Sequence, residues 1–400
     1  MRALPITAYT LTTCLGPGKD VNFDALVSGR SGLAPCAFED VDIDTWLGAV
    51  AGVDDVQLPA ALSAFDCRNN RLAELALSQD GFRDAVDAAR ERYGAHRVAV
   101  LLGTSTSGML AAEHAWRRRD ANGDLPSDFN YATTQDNFSL ARFVAQSLAL
   151  EGPSQVVSTA CSSSAKVFAS AARMMSVGLA DAAVVGGVDS LCGTTLYGFR
   201  SLELVSSAPC RPFDADRRGL SIGEGAAFAL LEHEASSDLT LLGYGESSDA
   251  FHMSSPHPEG LGARLAMQAA LDRAGLGAND VDYINLHGTA SKANDAAEDR
   301  AVHDVFGDSI ACSGTKGWTG HTLGASGGIE AVICLLALAR NFRPGTLNTQ
   351  RVDPACRIRI EREGSETRLR VALSNSFGFG GSNCTLAFGR GGHDGAGARA

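Results

Sequence analysis

The stretch Val156-Val-Ser-Thr-Ala-Cys161-Ser-Ser-Ser-Ala165 joins a predicted strand to a long apolar helix through a tight turn of small residues. Cys161 stands where the helix begins, so unpaired backbone N–H groups and the positive end of the helix dipole favour its thiolate. Its small neighbours leave room for a bulky substrate at the sulfur. A free cysteine is also commonly a buried core residue. The stretch therefore allows two interpretations, a nucleophile or a core thiol.

The composition describes a compact chain with a large interior. Its 400 residues suggest two domains or two closely packed halves. Hydrophobic residues make up 45% of the chain and charged residues 20%. Glycine accounts for 44 of the 400 residues, which is more than its usual share of about 7%. The net charge of −12 disfavours nucleic acid as a partner. It is compatible with a local basic patch that binds an acidic protein.

The ten cysteines are scattered, with no CxxC pair and no metal-ligand spacing. In a chain of this length the pattern predicts reduced thiols in the cytoplasm rather than a disulfide framework or a zinc site. The N-terminus lacks the apolar segment of a signal peptide. No run reaches the roughly 18 apolar residues of a membrane span, so we expect no membrane association.

Nearly continuous apolar runs alternate with helix-length segments, which predicts an α/β fold with buried parallel strands. The predicted strands are 97–102, 182–188, 283–286 and 369–373, and a helix is predicted over 261–274. Two further helices, 164–180 and 327–338, are apolar or small almost all round and must be buried on every side. A small-residue turn with one reactive side chain precedes each of them. This suggests an internal duplication that brings two helix N-termini to one centre.

Two histidines occupy positions that suit chemistry. His287 ends a predicted strand before a glycine turn, and α/β sheets place active sites at such strand ends. A histidine there could equally be a core residue with satisfied hydrogen bonds. His321 lies between Lys316 and Glu330, and Glu330 falls inside the second apolar helix. Because a carboxylate in an apolar helix needs a cationic partner, we predict a buried pair with Lys316.

The segment Asn375-Ser-Phe377-Gly-Phe379-Gly-Gly-Ser382-Asn follows another predicted strand. Its glycines leave backbone N–H groups accessible, as an oxyanion hole requires. Phe377 and Phe379 can exclude water from such a site.

Together these clusters resemble the β-ketoacyl-[acyl-carrier-protein] synthases of the elongating, Cys-His-His type. The likeness spans roughly residues 3 to 390 and includes Cys210-Arg-Pro-Phe-Asp214 through Gly225, which is similar to a structural signature of that family. The resemblance implies a thiolase fold with two βαβαβαββ halves stacked in five αβαβα layers. We place the halves at 1–235, with the nucleophile, and 236–390, with both histidines. Residues 391–400 are predicted to form a flexible tail.

The resemblance also implies a reaction. Cys161 accepts an acyl chain from a carrier-protein thioester, and His287 and His321 promote loss of CO₂ from malonyl-carrier protein and stabilise the enolate. The enolate then attacks the acyl-Cys161 thioester. No metal or redox cofactor is implied. The other implied site residues are Lys316 and Glu330 as a supporting pair, Glu298 as a further carboxylate, the N–H groups of Cys161 and Phe379 as the oxyanion hole, and Thr289, Ser291 and Phe377 as substrate-binding residues.

Some positions depart from the housekeeping enzymes of that family. Ser291-Lys292 replaces the usual Thr-Pro, and the loop Gly103-Thr-Ser-Thr106-Ser-Gly108 replaces a more Gly-rich version. Thr106 and Phe199 align with residues that line the family's acyl tunnel. Loops of this kind are similar to those of specialised synthases in polyketide-like and aryl-polyene pathways. Substrate length is therefore expected to differ from ordinary fatty-acid elongation.

The implied partner is an acyl carrier protein with phosphopantetheine-linked substrates. Since carrier proteins are acidic, we expect docking on Arg68, Arg71 and Arg118. The resemblance also implies a homodimer, or a heterodimer with a related ketosynthase subunit.

Three alternative activities share the thiolase fold, because a fold does not fix a function. Starter-type ketosynthases carry Asn where this chain has His321, and thiolases use a second cysteine in a Cys-Gly-Gly turn, which Cys384 does not match. A non-catalytic chain-length factor would lack the nucleophile. Acyl length, aliphatic or aryl starter, oligomer type, and primary or specialised metabolism stay open from sequence.

Overall fold

A computed structural model describes residues 1–391. In the first part of the chain the strands are β1 Leu4–Thr13, β2 Gly16–Pro17, β3 Ala34–Pro35, β4 Trp46–Gly48, β5 Val98–Gly103, β6 Ser154–Val157, β7 Ala182–Asp189, β8 Ile222–Gly223 and β9 Gly225–Glu232. The helices of this part are α1 Lys19–Ser28, α2 Arg68–Leu77, α3 Phe82–Tyr93, α4 Met109–Arg117, α5 Phe138–Ser147, α6 Ser163–Ser176 and α7 Gly193–Ser201.

The second part repeats the alternation of strands and helices. Its strands are β10 Leu239–Ser248, β11 Tyr283–Asn285, β12 Ala311–Ser313, β13 Phe342–Arg343, β14 Arg359–Ile360, β15 Ser365–Glu366, β16 Val371–Gly378 and β17 Ser382–Arg390. Its helices are α8 Leu261–Ala274, α9 Lys292–Phe306, α10 Lys316–Thr319 and α11 Ser326–Arg340. Short 3₁₀ turns include Leu323–Ala325 and Phe379–Gly381.

The main strands form two half-sheets with the same order. One runs β6-β5-β7-β9-β1 and the other β12-β11-β16-β17-β10, with β14 added at the outer edge. A short antiparallel pairing of Leu4 and Pro5 with β10 joins the halves into one large mixed sheet. Helices α6 and α11 pack against each other between the two half-sheets, while α2, α3 and α5 cover one outer face and α8 and α9 the other. The α/β fold with duplicated halves in five layers is therefore confirmed.

The predicted elements lie where the hydrophobic pattern put them, with two differences. Strand β16 continues to Gly378, so residues 375–378 belong to the strand that they were predicted to follow. Helix α8 has the predicted bounds, and the four predicted strands correspond to β5, β7, β11 and β16. The helix predicted to reach residue 180 ends at Ser176 instead, and Val177 and Leu179 are 70% and 55% exposed. The apolar pattern continued past the helix, so it overestimated both the length and the burial of α6.

The segment Leu323–Arg340 has the length and mean hydropathy (1.6) of a membrane span. This differs from the expectation that no such run exists. However, 89% of the segment is buried inside the protein, and residues 326–338 of α11 are all buried. Because its apolar surface is covered by the two half-sheets, we interpret it as a core helix.

Strand β6 forms one edge of the large sheet. It pairs with β5 along one side, and Ser154 and Gln155 are exposed. An uncovered strand edge carries unpaired N–H and C=O groups and can pair with another chain.

Candidate active site

The turn before α6, which carries Cys161, is strained and is held by hydrogen bonds between neighbouring residues. Ala160 adopts a left-handed φ of 54°, which is unfavourable for a residue with a side chain. The N–H of Thr159 donates to Ser163 Oγ (2.8 Å), and Ser163 Oγ donates to the carbonyl of Ala160 (2.6 Å). The small residues are needed because the helix start touches the sheet: a Cβ on Gly103 would lie 2.3 Å from the Ser164 nitrogen. Sequence and packing together therefore aim the thiol out of the turn.

His321 lies beside the thiol, with its Nε2 3.1 Å from Cys161 Sγ. The signature segment holds its backbone, because the N–H of His321 donates to Ser221 O (2.7 Å) and the N–H of Gly223 donates to His321 O (3.0 Å). The N–H of Leu323 donates to His321 Nδ1 (3.1 Å). Since Nδ1 is an acceptor, the proton of the neutral imidazole is assigned to Nε2, facing the thiol.

His287 is oriented in the same way by different groups. Glu298 accepts hydrogen bonds from the N–H groups of His287 and Gly288, both at 2.8 Å. Lys316 Nζ lies 2.5 Å from the His287 carbonyl oxygen and 3.4 Å from Nδ1. The ammonium has only protons to donate, so Nδ1 is again the acceptor and Nε2 carries the proton. The two imidazole rings lie 5.3 Å apart, nearly perpendicular.

The predicted pair of Lys316 and Glu330 is present and buried. Their side chains are 1% and 3% exposed and form an ion pair, and Ser326 Oγ donates to the other Glu330 oxygen (3.2 Å). Burial raises the pKa of Glu330, and Lys316 opposes that shift. A buried ion pair is costly to desolvate. Here it places a positive charge behind His287.

Burial sets the protonation states of the three central groups. It lowers the pKa of both His287 and His321 well below 6.5, and the charge of Lys316 adds to the effect. Both imidazoles are therefore neutral donors at pH 7. Burial also raises the pKa of Cys161 to about 11, opposed by Lys316 and by the N–H groups of Phe379 and Cys161. This corrects the expectation of a thiolate at the helix N-terminus, because desolvation outweighs the nearby positive groups.

Cys161, His287 and His321 also form a compact set of potential metal donors, all within 4.8 Å. Sulfur and imidazole nitrogen are ligands that Zn²⁺ accepts. Three features of this site oppose a cation, however: both Nε2 atoms carry protons, the thiol is protonated, and the Lys316 ammonium is 3.4 Å from His287 Nδ1. The set fits hydrogen-bond donation better than metal binding.

A cavity of about 100 Å³ opens onto Cys161 and the two histidines. The predicted residues Thr289, Ser291, Phe199, Phe377 and Phe379 all line it. Phe199 and Phe379 stack with ring centroids 5.6 Å apart, and the Thr289 and Ser291 hydroxyls lie 3.0 Å apart. The cavity thus has a polar mouth and an aromatic wall.

Thr106 does not line this cavity. It is buried, and its hydroxyl donates to Asp189 (2.7 Å). The alignment that made Thr106 a tunnel residue carried no information about Asp189, which lies 83 residues away in sequence.

Sequence reasoning missed several residues that line the cavity. Asp249, Asn383 and the segment 254–256 form part of its wall, and Asn383 Nδ2 donates to Asp249 (2.8 Å). Asp249 directly follows β10 and could have been found as a polar residue at a strand end. The segment 254–256 lies in a loop without any motif.

The three arginines expected at a docking surface are all paired within the chain. Arg68 is 8% exposed between Asp54 and Glu224, with Nη2 2.6 Å from Glu224 Oε1. This corrects the expectation that Arg68 offers a free charge, because a buried carboxylate already holds it. Arg71 pairs with Asp66 at 2.5 Å and is 28% exposed, while Arg118 pairs with Asp128 at 2.9 Å and is 55% exposed. Arg118 is therefore the most accessible of the three.

Glu298 gives the fold a specific pH dependence. Burial raises its pKa from 4.5 to about 7. The folded state consequently binds more protons than the unfolded state between these values, so this group makes the protein less stable as pH rises through that window. We expect the unfolding free energy of the wild type, relative to Glu298→Gln, to fall by up to about 3 kcal/mol from pH 4.5 to 8. Urea unfolding at several pH values measures it. The exposed Glu366→Gln controls for charge loss, and a constant difference between wild type and Glu298→Gln would contradict the assignment.

Family models match almost the whole described chain. The model described as "Beta-ketoacyl synthase, N-terminal domain" matches residues 1–237, and "Beta-ketoacyl synthase, C-terminal domain" matches residues 239–350. Among curated proteins, Nodulation protein E of Rhizobium sp. (strain N33) is 37% identical over 80% of this chain and 82% of that protein. The 3-oxoacyl-[acyl-carrier-protein] synthase 2 of Rhizobium meliloti (strain 1021) is 34% identical over 96% of this chain and 98% of that protein.

Solved structures agree. A chain in the complex of the ketosynthase ApeO with its chain length factor ApeC, from Xenorhabdus doucetiae, has a TM-score of 0.88 and 39% identity, covering 97% of this chain and 98% of that chain. A beta-ketoacyl synthase from Burkholderia phymatum STM815 has a TM-score of 0.88 and 30% identity, covering 98% of this chain and all of that one. With the cysteine and both histidines in contact around one cavity, the chain belongs to the β-ketoacyl synthase family and is a 3-oxoacyl-[acyl-carrier-protein] synthase, an acyltransferase.

Proposed function

We propose that Cys161 is the acyl acceptor and that His287 and His321 drive the decarboxylative condensation in fatty-acid, polyketide or aryl-polyene-type synthesis. The observation that carries this proposal is the convergence of two neutral imidazole Nε2–H groups on one buried thiol. A chain-length factor without catalysis is disfavoured, because such a subunit has no need of that constellation.

The first step is thioester exchange. The Cys161 sulfur attacks the acyl carbonyl carbon, the bond to the carrier-protein sulfur breaks, and the thiol proton is passed to the leaving thiolate. The N–H groups of Cys161 and Phe379 can stabilise the oxyanion, since both already form hydrogen bonds to the Cys161 sulfur. Charge is balanced, and no cofactor is consumed.

The second step is loss of CO₂ from malonyl-carrier protein. As the C–C bond to the carboxylate breaks, negative charge moves to the thioester oxygen, where the Nε2–H groups of His287 and His321 can donate. The resulting enolate carbon attacks the acyl carbon on Cys161. The Cys161–acyl bond breaks, the negative charge ends on the Cys161 sulfur, and one proton from solvent restores the thiol. A β-ketoacyl chain remains on the carrier.

The substrate wall supports a chain with planar character. Phe199 and Phe379 present stacked rings beside the nucleophile, and stacked rings favour contact with a flat apolar group. We infer that conjugated or aryl-bearing chains fit at least as well as saturated ones. Thr289 and Ser291 supply hydroxyls for the amides of the pantetheine arm, while Phe377 packs beside His287 at a centroid distance of 6.0 Å.

We propose that the carrier protein docks near Arg118 and Arg71. Both are partly exposed, and their partners Asp128 and Asp66 are exposed carboxylates that an acidic partner can replace. Surface ion pairs of this kind are weak, so exchanging partners costs little.

We further propose that the chain pairs through the β6 edge, with a second copy or with a related ketosynthase subunit. The exposed edge supports this, as does the similar ketosynthase ApeO, which was solved in complex with its chain length factor.

We also propose the division into halves at residues 235 and 236, supported by the repeated strand order. A reducing, cytoplasmic location is supported by ten free cysteines. The predicted tail at 391–400 lies outside the described residues except for Gly391.

Replacing the nucleophile separates the two half-reactions. Cys161→Ala should abolish the covalent acyl-enzyme, because no sulfur remains to form the thioester. Cys161→Gln should retain malonyl decarboxylation, because both imidazole donors stay in place. Intact-mass measurement with acyl-carrier-protein substrates detects the adduct, and CO₂ release measures decarboxylation. An acyl adduct on Cys161→Ala would refute the central assignment.

Charge reversal at the docking surface should affect only the carrier-bound substrate. For Arg118→Glu we expect kcat/KM with malonyl-carrier protein to fall about tenfold, since a rim charge governs encounter, and wild-type turnover should fall with added salt. Activity on a short pantetheine thioester should be unchanged. Arg370→Glu is the control, because this exposed arginine precedes β16 at the sheet end opposite the active site. Equal losses on both substrates would indicate damage to the fold.

The state of association tests the pairing proposal. Alone, we expect the chain to sediment as a dimer, at twice its own mass of 41.6 kDa. With a co-expressed ketosynthase-like subunit, we expect a one-to-one complex instead or as well. Gln155→Lys should weaken the assembly by placing charge on the edge strand, whereas Gln268→Lys on the exposed face of α8 should not. A monomer under both conditions would contradict the proposal.

A further inference from the structure

Asp189, the last residue of β7, is a buried carboxylate that the condensation chemistry does not use. Its Oδ1 accepts from the hydroxyls of Thr104 and Thr106 (both 2.7 Å) and from the backbone N–H groups of Ser105 and Thr106 (both 2.8 Å). Among residues 1–391, no lysine or arginine forms an ion pair with Asp189. Burial raises the pKa of Asp189, and only neutral donors, the groups of Thr104, Ser105 and Thr106, oppose that shift. Burying a carboxyl group without a cationic partner is costly for a residue that has no role in the fold or the reaction.

The second oxygen accepts from the Ser105 N–H (3.0 Å) and also faces another part of the chain. Asp189 Oδ2 accepts from the N–H of Gly324, which belongs to the 3₁₀ turn between His321 and α11. The contact is too close for any side chain: a Cβ on Gly324 would lie 2.7 Å from Asp189 Oδ2 and 2.5 Å from Ser105 Oγ. Asp189 therefore ties the 104–106 loop and the 323–325 turn to one strand end.

The residue next to that contact controls His321. Leu323 has a left-handed φ of 52°, which a leucine adopts only when its surroundings impose it. In this conformation its N–H donates to His321 Nδ1 (3.1 Å). The hydrogen bond from Gly324 to Asp189 holds the N–H side of the adjoining peptide, whose carbonyl oxygen, on Leu323, accepts from the Ser326 N–H. Asp189 therefore acts on His321 through one strained residue.

We propose that Asp189 is a positioning residue that keeps the Leu323 N–H on His321 Nδ1 and so holds the Nε2 proton toward the reacting thioester. This rests on the proposed role of His321 in decarboxylation. Without the Asp189 contact the turn can relax, Nδ1 loses its donor, and His321 can carry its proton on either nitrogen. The unprotonated Nε2 would then accept the thiol proton, so Cys161 would react more readily while decarboxylation slows.

These opposite effects distinguish positioning from simple damage. Asp189→Asn keeps the shape of the side chain but leaves it one acceptor oxygen. That oxygen takes the place of Oδ1 and keeps its four donors. The NH₂ group then takes the place of Oδ2 and faces the Gly324 N–H, from which it cannot accept. We expect malonyl decarboxylation to fall about 10- to 100-fold, as for other small misplacements in active sites. We expect alkylation of Cys161 by iodoacetamide, followed on its own peptide by mass spectrometry, to be at least as fast as in the wild type. A destabilised enzyme would lose decarboxylation without that gain.

A spectroscopic measurement reports the tautomer directly. In ¹⁵N-histidine spectra the wild-type His321 should show a protonated Nε2 and an unprotonated Nδ1, with its signals assigned by their loss in His321→Gln. In Asp189→Asn these signals should move toward a mixture of tautomers, whereas His287 should not change, because Lys316 holds its Nδ1. Asp299→Asn is the control for loss of a buried carboxylate. Asp299 accepts from the N–H groups of Arg357 and Ile358 and, unlike Asp189, also pairs with the Arg357 side chain, without contact to His321. Asp299→Asn should leave the positions of the His321 signals unchanged and the decarboxylation rate within twofold of wild type.

A second variant decides the matter if Asp189→Asn does not fold. Gly324→Ala pushes the same peptide away from Asp189 while keeping every charge, and should give the same three changes in weaker form. Wild-type tautomer and decarboxylation in whichever variant folds would overturn the proposal. If His321→Ala itself retains decarboxylation, the proposed role of His321 fails instead, and the two failures are thereby distinguished.

Discussion

The close approach of helices α6 and α11 between the two half-sheets is the constraint on which the active site depends. A Cβ on Gly327 would lie 2.7 Å from that of Ala165, and the N–H of Gly328 donates to Ser164 Oγ at 2.7 Å. The helix starts can touch only because small residues occupy both. Since Cys161 immediately precedes one helix and His321 lies shortly before the other, this contact is what puts Nε2 within 3.1 Å of the thiol. The duplication of the fold thus becomes a pair of facing catalytic groups.

Within this centre, stabilisation of negative charge depends on buried neutral hydrogen-bond donors rather than on an excess of positive charge. Lys316 and Glu330 form an ion pair in the core, so their charges nearly cancel. The ammonium contacts His287, and Glu330 does not line the cavity. Lys316 thereby fixes the His287 tautomer, while a backbone N–H fixes that of His321. Two unrelated devices give the same outcome, two neutral donors pointing at one spot. An oxyanion or enolate forming there meets fixed dipoles, and no solvent has to reorganise.

The sequence predicted the parts of this arrangement that depend on local pattern. Helix α8, the buried strands and the burial of Glu330 follow from hydrophobic period and from the cost of a lone charge. The turn contexts made the cysteine and histidines candidates, and the resemblance to a family implied their roles. What could not be predicted are contacts across long separations. Arg68 and Glu224 lie 156 residues apart, so no local pattern indicated that a buried carboxylate already holds Arg68. The resemblance implied that Thr106 lines the acyl tunnel, but it did not indicate that the Thr106 hydroxyl donates to Asp189. The extent of α6 was overestimated because hydrophobicity at Val177 and Leu179 does not reveal which face is covered.

The pKa of Cys161 shows why desolvation must be weighed against helix dipoles. The helix N-terminus, Lys316 and two N–H groups all favour a thiolate, yet burial still raises the pKa of Cys161 to about 11. Moreover, the hydrogen bond that makes His321 a donor at Nε2 prevents the same nitrogen from accepting the thiol proton. In the proposed mechanism the site therefore serves the enolate, and acyl transfer proceeds without a side chain that accepts the thiol proton. The geometry that we propose for decarboxylation thus carries a cost in nucleophile activation, and in our proposal the strained Leu323 turn sets that balance.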